Sequence, residues 1–340
     1  MDTTELHRLL DANLALPPEY RDQLSNHLPM ALHALHGLGA DAARLHDFHD
    51  RYAQRFGDRR APPPAPAVAD WTRLIGQPGA YAALRASFGA ALHLQGRDAV
   101  LRAALPWLVQ GVGGAAFHGL IRTGHAIEAG HAGELAAALA YWGWRWMPLA
   151  AAPVAGAALE VDDWTAALEQ QSAGWCPPAG LISTRMQAAQ HSPAYRALAG
   201  RLRFAPDTLA RLSAFAASRY AQTGNFTVLH MVTASRALRV VTPWLGAAPL
   251  APVAQAFAAA CMASGTGTDI GMAPAPPPRT WPEVVALARA SDDDHVVKLV
   301  HACRDETAAH GAGPWLAAAT RAVAPQAVSS ASPASLPAQP

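Results

Sequence analysis

Apolar residues recur at three- and four-residue spacing along nearly the whole chain, and β-branched alternating runs are scarce. That pattern predicts an all-α protein, one large multi-helix domain. Helices are expected near 3–14, 20–24, 27–38, 40–56, 79–95, 97–108, 115–129, 133–148, 162–170, 179–189, 207–221, 225–240, 251–263, 281–289 and 292–310. Proline punctuates them at Pro17-Pro18, Ala61-Pro-Pro-Pro-Ala-Pro66, Pro177-Pro178 and Ala273-Pro-Ala-Pro-Pro-Pro278. The last helix has a start signal, Ser291 followed by Asp294 as a capping box, with three acids suited to a helix N-terminus. Gly311 and Pro314 mark its stop. The domain is expected over 1–323, with 324–340 a disordered Pro/Ser/Ala tail.

Several of these helices are apolar on every side. The uncharged stretch from Val240 to Thr268 is long enough to raise a membrane span, but its prolines and glycines predict a turn followed by a buried helix. Charged residues are only 15% and the net charge is +1, which excludes a basic nucleic-acid or membrane surface. Cys176, Cys261 and Cys303 form neither a disulfide framework nor a CxxC pair, and the N-terminus is acidic and amphipathic. A cytoplasmic protein is expected. No HExxH, P-loop, zinc-finger or Ser-His-Asp spacing is present.

One residue type stands out by its rarity. Lys298 is the only lysine, in Asp292-Asp-Asp-His295-Val-Val-Lys298-Leu-Val-His301. His295, Lys298 and His301 share one side of a helix whose other sides are apolar. A buried lysine tends toward the neutral amine, which arginine cannot do. A neutral amine can act as a base, form a Schiff base, or take up CO2 as a carbamate that ligates metal. The plainer alternative is a lysine that carries its head to the surface.

Among 15 histidines, the informative ones lie on helices without a wet face. His27 faces inward with Ala31, Ala34 and Leu38, capped by Ser25 or Asn26, while His33 and His36 fall on the other side as ordinary residues. His118 lies in Phe117-His-Gly-Leu-Ile-Arg122, with Arg122 and His125 on the same face. His230 lies in Phe226-Thr-Val-Leu-His-Met-Val-Thr233. Each alone reads as a core histidine; with His295 and Lys298 they form a set that helix bundles use for metals. His46-Asp-Phe-His49 sits among charges and reads as a solvated face. Gly111-Val-Gly-Gly-Ala-Ala116 matches a dinucleotide-binding string, but no parallel sheet accompanies it. Tyr141, Trp142, Trp144 and Trp146 line either an aromatic pocket or the core.

Four segments together resemble the questin oxidase-like family: Asn26-His-Leu-Pro-Met30, Phe117–Arg122, Phe226–Thr233 and Asp294-His-Val-Val-Lys298. They span most of the chain in the family's order. The resemblance implies an all-helical oxygenase, an oxidoreductase that oxidises or cleaves polycyclic aromatic, anthraquinone-like polyketides with O2. One branch implies non-haem Fe(II) held by four histidines and a carboxylated lysine. By motif these are His27, His118, His230, His295 and Lys298, with His301 as an alternative to His295. Arg122 is the candidate catalytic residue, orienting substrate or stabilising an oxyanion; the other reading is a buried ion pair with Glu128 or Asp294. The chain is shorter than polyketide-pathway members, which leaves the substrate open. Two further classes remain: a metal-free, NADPH-dependent Baeyer–Villiger-type monooxygenase, and a non-enzymatic aromatic-polyketide carrier. The expected partners are a small aromatic substrate and O2, with no nucleic acid or membrane; a homo-oligomer stays open.

Overall fold

The computed structural model describes residues 3–21, 23–151, 156–265 and 274–324. The expected tail lies outside them apart from Ala324, as does Ala273 of the second proline-rich run. The fold is all-α. Helix α1 (Thr4–Asn13) leads into a two-stranded antiparallel hairpin, β1 (Glu19–Tyr20) and β2 (Leu24–Ser25). A helix was expected over 20–24. The chain turns back instead, because Arg21 and Gln23 adopt left-handed φ of 47° and 68°.

The helices that follow are α2 (Leu28–Gly37), α3 (Ala42–Ala53), α4 (Tyr81–Gln95), α5 (Arg97–Leu108), α6 (His118–Ala129), α7 (Ala132–Trp144), α8 (Val161–Gln171) and α9 (Ile182–Ala189). They continue as α10 (Pro193–Leu198), α11 (Thr208–Thr223), α12 (Phe226–Val241), α13 (Ala251–Ala263), α14 (Trp281–Ala290), α15 (Asp294–His310) and α16 (Trp315–Val323). Helices α10 and α16 were not anticipated. Pro314, read as a stop, caps α16, which is anchored by a hydrogen bond from Trp315 Nε1 to Ser213 Oγ of α11 at 3.0 Å. The apolar stretch after Val240 forms a short turn and the buried α13, and no helix among the described residues is long and apolar enough to cross a membrane.

Four helices form a closed inner ring: α2 packs on α6, α6 on α12, α12 on α15, and α15 on α2. Their ring-facing positions are buried, and much of α2, α6 and α12 is buried all round. The outer helices explain why: α7, itself backed by α4, covers α6, while α11 and α16 cover α12 and α15. Small residues allow close approach. A Cβ at Gly119 of α6 would lie 2.6 Å from Trp142 Cα of α7, and one at Gly124 would lie 3.1 Å from Ala237 Cβ of α12.

Candidate metal centre

Each helix of the inner ring brings an imidazole from its N-terminal end. His27 is the N-cap of α2, His118 is the first residue of α6, His230 is the fifth of α12, and His295 is the second of α15. Their rings close a circuit: His27–His118 centroids are 4.6 Å apart, His118–His230 4.9 Å, His230–His295 5.6 Å and His295–His27 4.8 Å. All are buried except His295, whose side chain is 21% exposed. The ring of Phe226, itself 52% exposed, lies edge-on to His230 and His295 at 4.8 and 4.7 Å and covers this corner.

The hydrogen bonds fix which nitrogen each ring offers. His118 Nδ1–H donates to the Ala115 carbonyl at 2.5 Å, and His230 Nδ1–H to the Phe226 carbonyl at 2.8 Å. His27 Nδ1–H donates to Asp294 Oδ2 at 2.5 Å. An acceptor on Nδ1 places the lone pair on Nε2, the arrangement in which metal-ligating histidines are held. The Nε2 atoms of His27, His118 and His295 are buried with no hydrogen-bond partner. Orphaned buried nitrogens of this kind call for a missing partner. Burial pushes His27 down to about 3 and holds His118 and His230 well below the ordinary histidine range. His27, His118 and His230 are therefore neutral at pH 7, as ligation requires.

The backbone before His118 is unusual. Ala115, Ala116 and Phe117 all adopt left-handed φ, of 46°, 55° and 67°. Non-glycine residues rarely do so, and such conformations concentrate at functional sites. This run turns the Ala115 carbonyl onto His118. The glycine string ahead of it serves packing: a Cβ at Gly114 would lie 1.9 Å from the Arg145 carbonyl oxygen, and one at Gly111 would lie 2.2 Å from Trp146.

The three acids at the start of α15 have separate tasks. Asp292 pairs with Arg44 and Arg51 of α3. Asp293 is the N-cap, accepting from the His295 and Val296 amides, so the capping box expected from Ser291 and Asp294 is replaced by this Asp293 cap. Asp294 turns inward, and sequence reasoning missed its place in the site. Its Oδ2 lies 2.5 Å from His27 Nδ1, 3.3 Å from His295 Nδ1 and 3.5 Å from Lys298 Nζ, while Oδ1 takes Arg55 Nη1 at 3.1 Å. His27, Asp294 and His295 are the group among the described residues that brings three ligand atoms within 4.8 Å of one another. Burial alone would raise the Asp294 carboxyl, but its contacts with His295, His27 and Lys298 outweigh it and hold the group well below the ordinary carboxylate range. Lys298 is buried, and desolvation lowers its pKa against the opposing pull of Asp294. The four helix N-termini add positive potential that favours anions and neutral imidazoles here.

Other candidates fall elsewhere. Arg122 forms a buried bidentate pair with Glu134 of α7, Nε to Oε1 at 2.6 Å and Nη2 to Oε2 at 2.9 Å. The acids expected for it are engaged differently: Glu128 pairs with Arg236, and Asp294 with the site. His301 is not in the circuit with His295. It lies two turns deeper with His33 and His125, and His33 is buried rather than ordinary. His46 and His49 are engaged with Glu5 and Asp50 at the surface. Tyr141 and Trp142 belong to the core; Trp144 and Trp146 line a separate cleft with Arg145.

The family model described as questin oxidase-like matches residues 24–145, the part of the chain that carries His27, His118 and helices α2 to α7. Over that part the chain is similar to the family, and the family suggests an oxygenase acting on aromatic polyketides. No curated protein matches.

Proposed function

We propose that the chain is a non-haem iron-dependent oxygenase that oxidises or cleaves a polycyclic aromatic substrate with O2. The observation that carries this reading is the circuit of His27, His118, His230 and His295. Three of its rings are anchored through Nδ1–H to an oxygen, and three have an orphaned Nε2. Imidazole suits iron, and hard anionic oxygen completes such sites. The four histidines would hold the ion, with Lys298 as a carbamate supplying the anionic oxygen. Bound there, iron would supply one-electron chemistry with O2.

The chain's own residues define the rest. Asp294 orients His27 by accepting its Nδ1–H, and Arg55 holds the far oxygen of Asp294. Asp294 also opposes carboxylation of Lys298 in the empty site, because a second anion would form 3.5 Å away. Carbamate and cation would therefore load together. Phe226 shields the imidazoles from water and offers its exposed face to an aromatic ring. Arg55 links Asp294 to an open cleft of about 560 Å³ lined by Arg21, Phe56 and Arg59, which suits an anionic aromatic such as a phenolate. Arg122 is neutralised by Glu134 and acts as a buried strut rather than as an oxyanion partner.

A second reading is favoured by the Asp294–Lys298 contact: Asp294 itself is the anionic ligand and Lys298 its ammonium counter-charge. Elemental analysis of protein purified without chelators, wild type beside Lys298→Ala and Asp294→Asn, tests both. Near-stoichiometric iron lost in Lys298→Ala, with a carbamate carbon signal after 13C-bicarbonate loading, supports the carbamate. Iron retained in Lys298→Ala and lost in Asp294→Asn supports the second reading. No metal in any form, with O2 uptake that follows NADPH, would refute the iron proposal.

A further inference from the structure

Two turns below the first circuit, the same inner ring carries a second polar layer. His33 of α2 lies six residues past His27, His125 of α6 seven past His118, and His301 of α15 six past His295. At 1.5 Å per residue this is about 10 Å deeper along the helices. The fourth helix contributes Arg236, six residues past His230. His33, His125 and His301 are 8%, 3% and 9% exposed. Nothing in the proposed reaction uses them.

Their arrangement suits an ion. The ring centres are 5.1 Å apart for His33–His125, 5.3 Å for His33–His301 and 5.5 Å for His125–His301. Three imidazoles bound tetrahedrally, at metal–nitrogen distances of about 2.0–2.1 Å, place their ring centres about 5.2 Å apart. His33 Nδ1 and His125 Nδ1 already sit 2.9 Å from each other, and His301 Nδ1 is buried with no partner. The three do not bring one nitrogen each within 4.8 Å, so binding an ion would require rotation of a ring. Gly37 accommodates the His301 ring where it stands: a Cβ there would lie 2.7 Å from His301 Nε2. The cationic corner is compensated. Arg236 holds Glu128 and Asp305, and Arg239 holds Asp305 and Glu306; with Arg304 beside His301 the corner is close to neutral.

We propose that His33, His125 and His301 form a second metal site, for a divalent transition ion of zinc or cobalt type. Three neutral imidazoles leave the fourth position for water, and Glu128 and Asp305 offset the charge of Arg236 beside them. The site shares no ligand with the upper circuit, so its occupancy is independent of the iron reading.

The test is Co(II) titration of chelator-treated full-length protein, read by visible d–d absorption and by metal retained after desalting. His33→Leu/His125→Leu replaces two imidazoles with side chains suited to a buried helix. It is expected to retain one equivalent fewer than wild type. His118→Ala/His230→Ala is expected to keep the equivalent that the first variant loses. Equal metal in wild type and His33→Leu/His125→Leu overturns the proposal, as does wild-type protein that retains no Co(II). Should that variant lose its helical circular dichroism, His301→Gln is compared with wild type in the same titration, and unchanged uptake overturns the proposal equally.

Discussion

Removing metal should leave a protein that unfolds in mild acid, and the two histidine layers set where. Six buried imidazoles, His27, His33, His118, His125, His230 and His301, have pKa values below the ordinary 6.5, with His27 and His33 pushed down to about 3. Burial is the first cause in each, because the folded interior disfavours the imidazolium. The unfolded chain takes up these protons near 6.5 and the folded chain does not. Their stabilising contribution is therefore complete above about 6.5 and is lost as the pH falls from there toward about 3. Each such histidine removes on the order of 1 kcal/mol between pH 6 and pH 5.5. Six together remove roughly 5–8 kcal/mol over that range, within the usual domain stability of about 5–15 kcal/mol. Urea unfolding of chelated protein, followed by circular dichroism from pH 7.5 downward, should show stability exhausted between about pH 6 and 5. The slope should approach six protons taken up on unfolding. Chelated protein as stable at pH 5 as at pH 7.5, or a slope of one proton or less, would refute the assignment of neutral buried imidazoles.

Glu134→Gln leaves the Arg122 guanidinium buried without its counter-charge, and chemical denaturation should report a loss of about 3–5 kcal/mol. Gly114→Ala drives a Cβ into the Arg145 carbonyl; the expected cost is about 1–3 kcal/mol by thermal unfolding, with metal affinity reduced because the turn positions His118. Asp293→Ala removes the α15 cap together with a 3.5 Å contact to His295 Nδ1, and should cost about 0.5–2 kcal/mol with metal content lowered less than in Asp294→Asn in the same assay. Phe226→Ala, at a half-exposed position, should change stability by less than about 1 kcal/mol yet raise KM for an aromatic substrate more than it lowers kcat.

The sequence made the helices and the upper histidines legible for different reasons. Helical periodicity survives in single stretches, so most elements lie where the spacing places them. The hairpin at Glu19–Ser25 was hidden because its turn uses Arg21 and Gln23 in left-handed conformations without a glycine to signal them. Helix α16 was hidden behind Pro314, which begins a helix as readily as it ends one. The histidine motifs could be read because each sits on an apolar stretch. Which histidines share a layer could not be read, because that depends on how four helices are phased against one another. Face arguments assume a helix with a wet side, and α2 is buried from Leu28 to Leu35, so His33 had no outward face to occupy.

Asp294 shows the same limit from the other direction. Three consecutive aspartates look like one helix-start signal, and one of them, Asp293, does that work. Asp292 lies before the helix, Asp293 caps it in an extended conformation and Asp294 is its first residue, so the three face different neighbours. Here Asp292 meets Arg44 and Arg51, Asp293 caps, and only Asp294 can reach His27 and Lys298. The buried lysine that drew attention for its rarity thus has a partner one turn earlier on its own helix. A lone buried amine would favour carbamate formation by desolvation alone; beside Asp294 it needs a cation first. That ordering ties the state of Lys298 to metal loading, and it makes the Asp294→Asn variant the one in which carboxylation and metal binding should come apart.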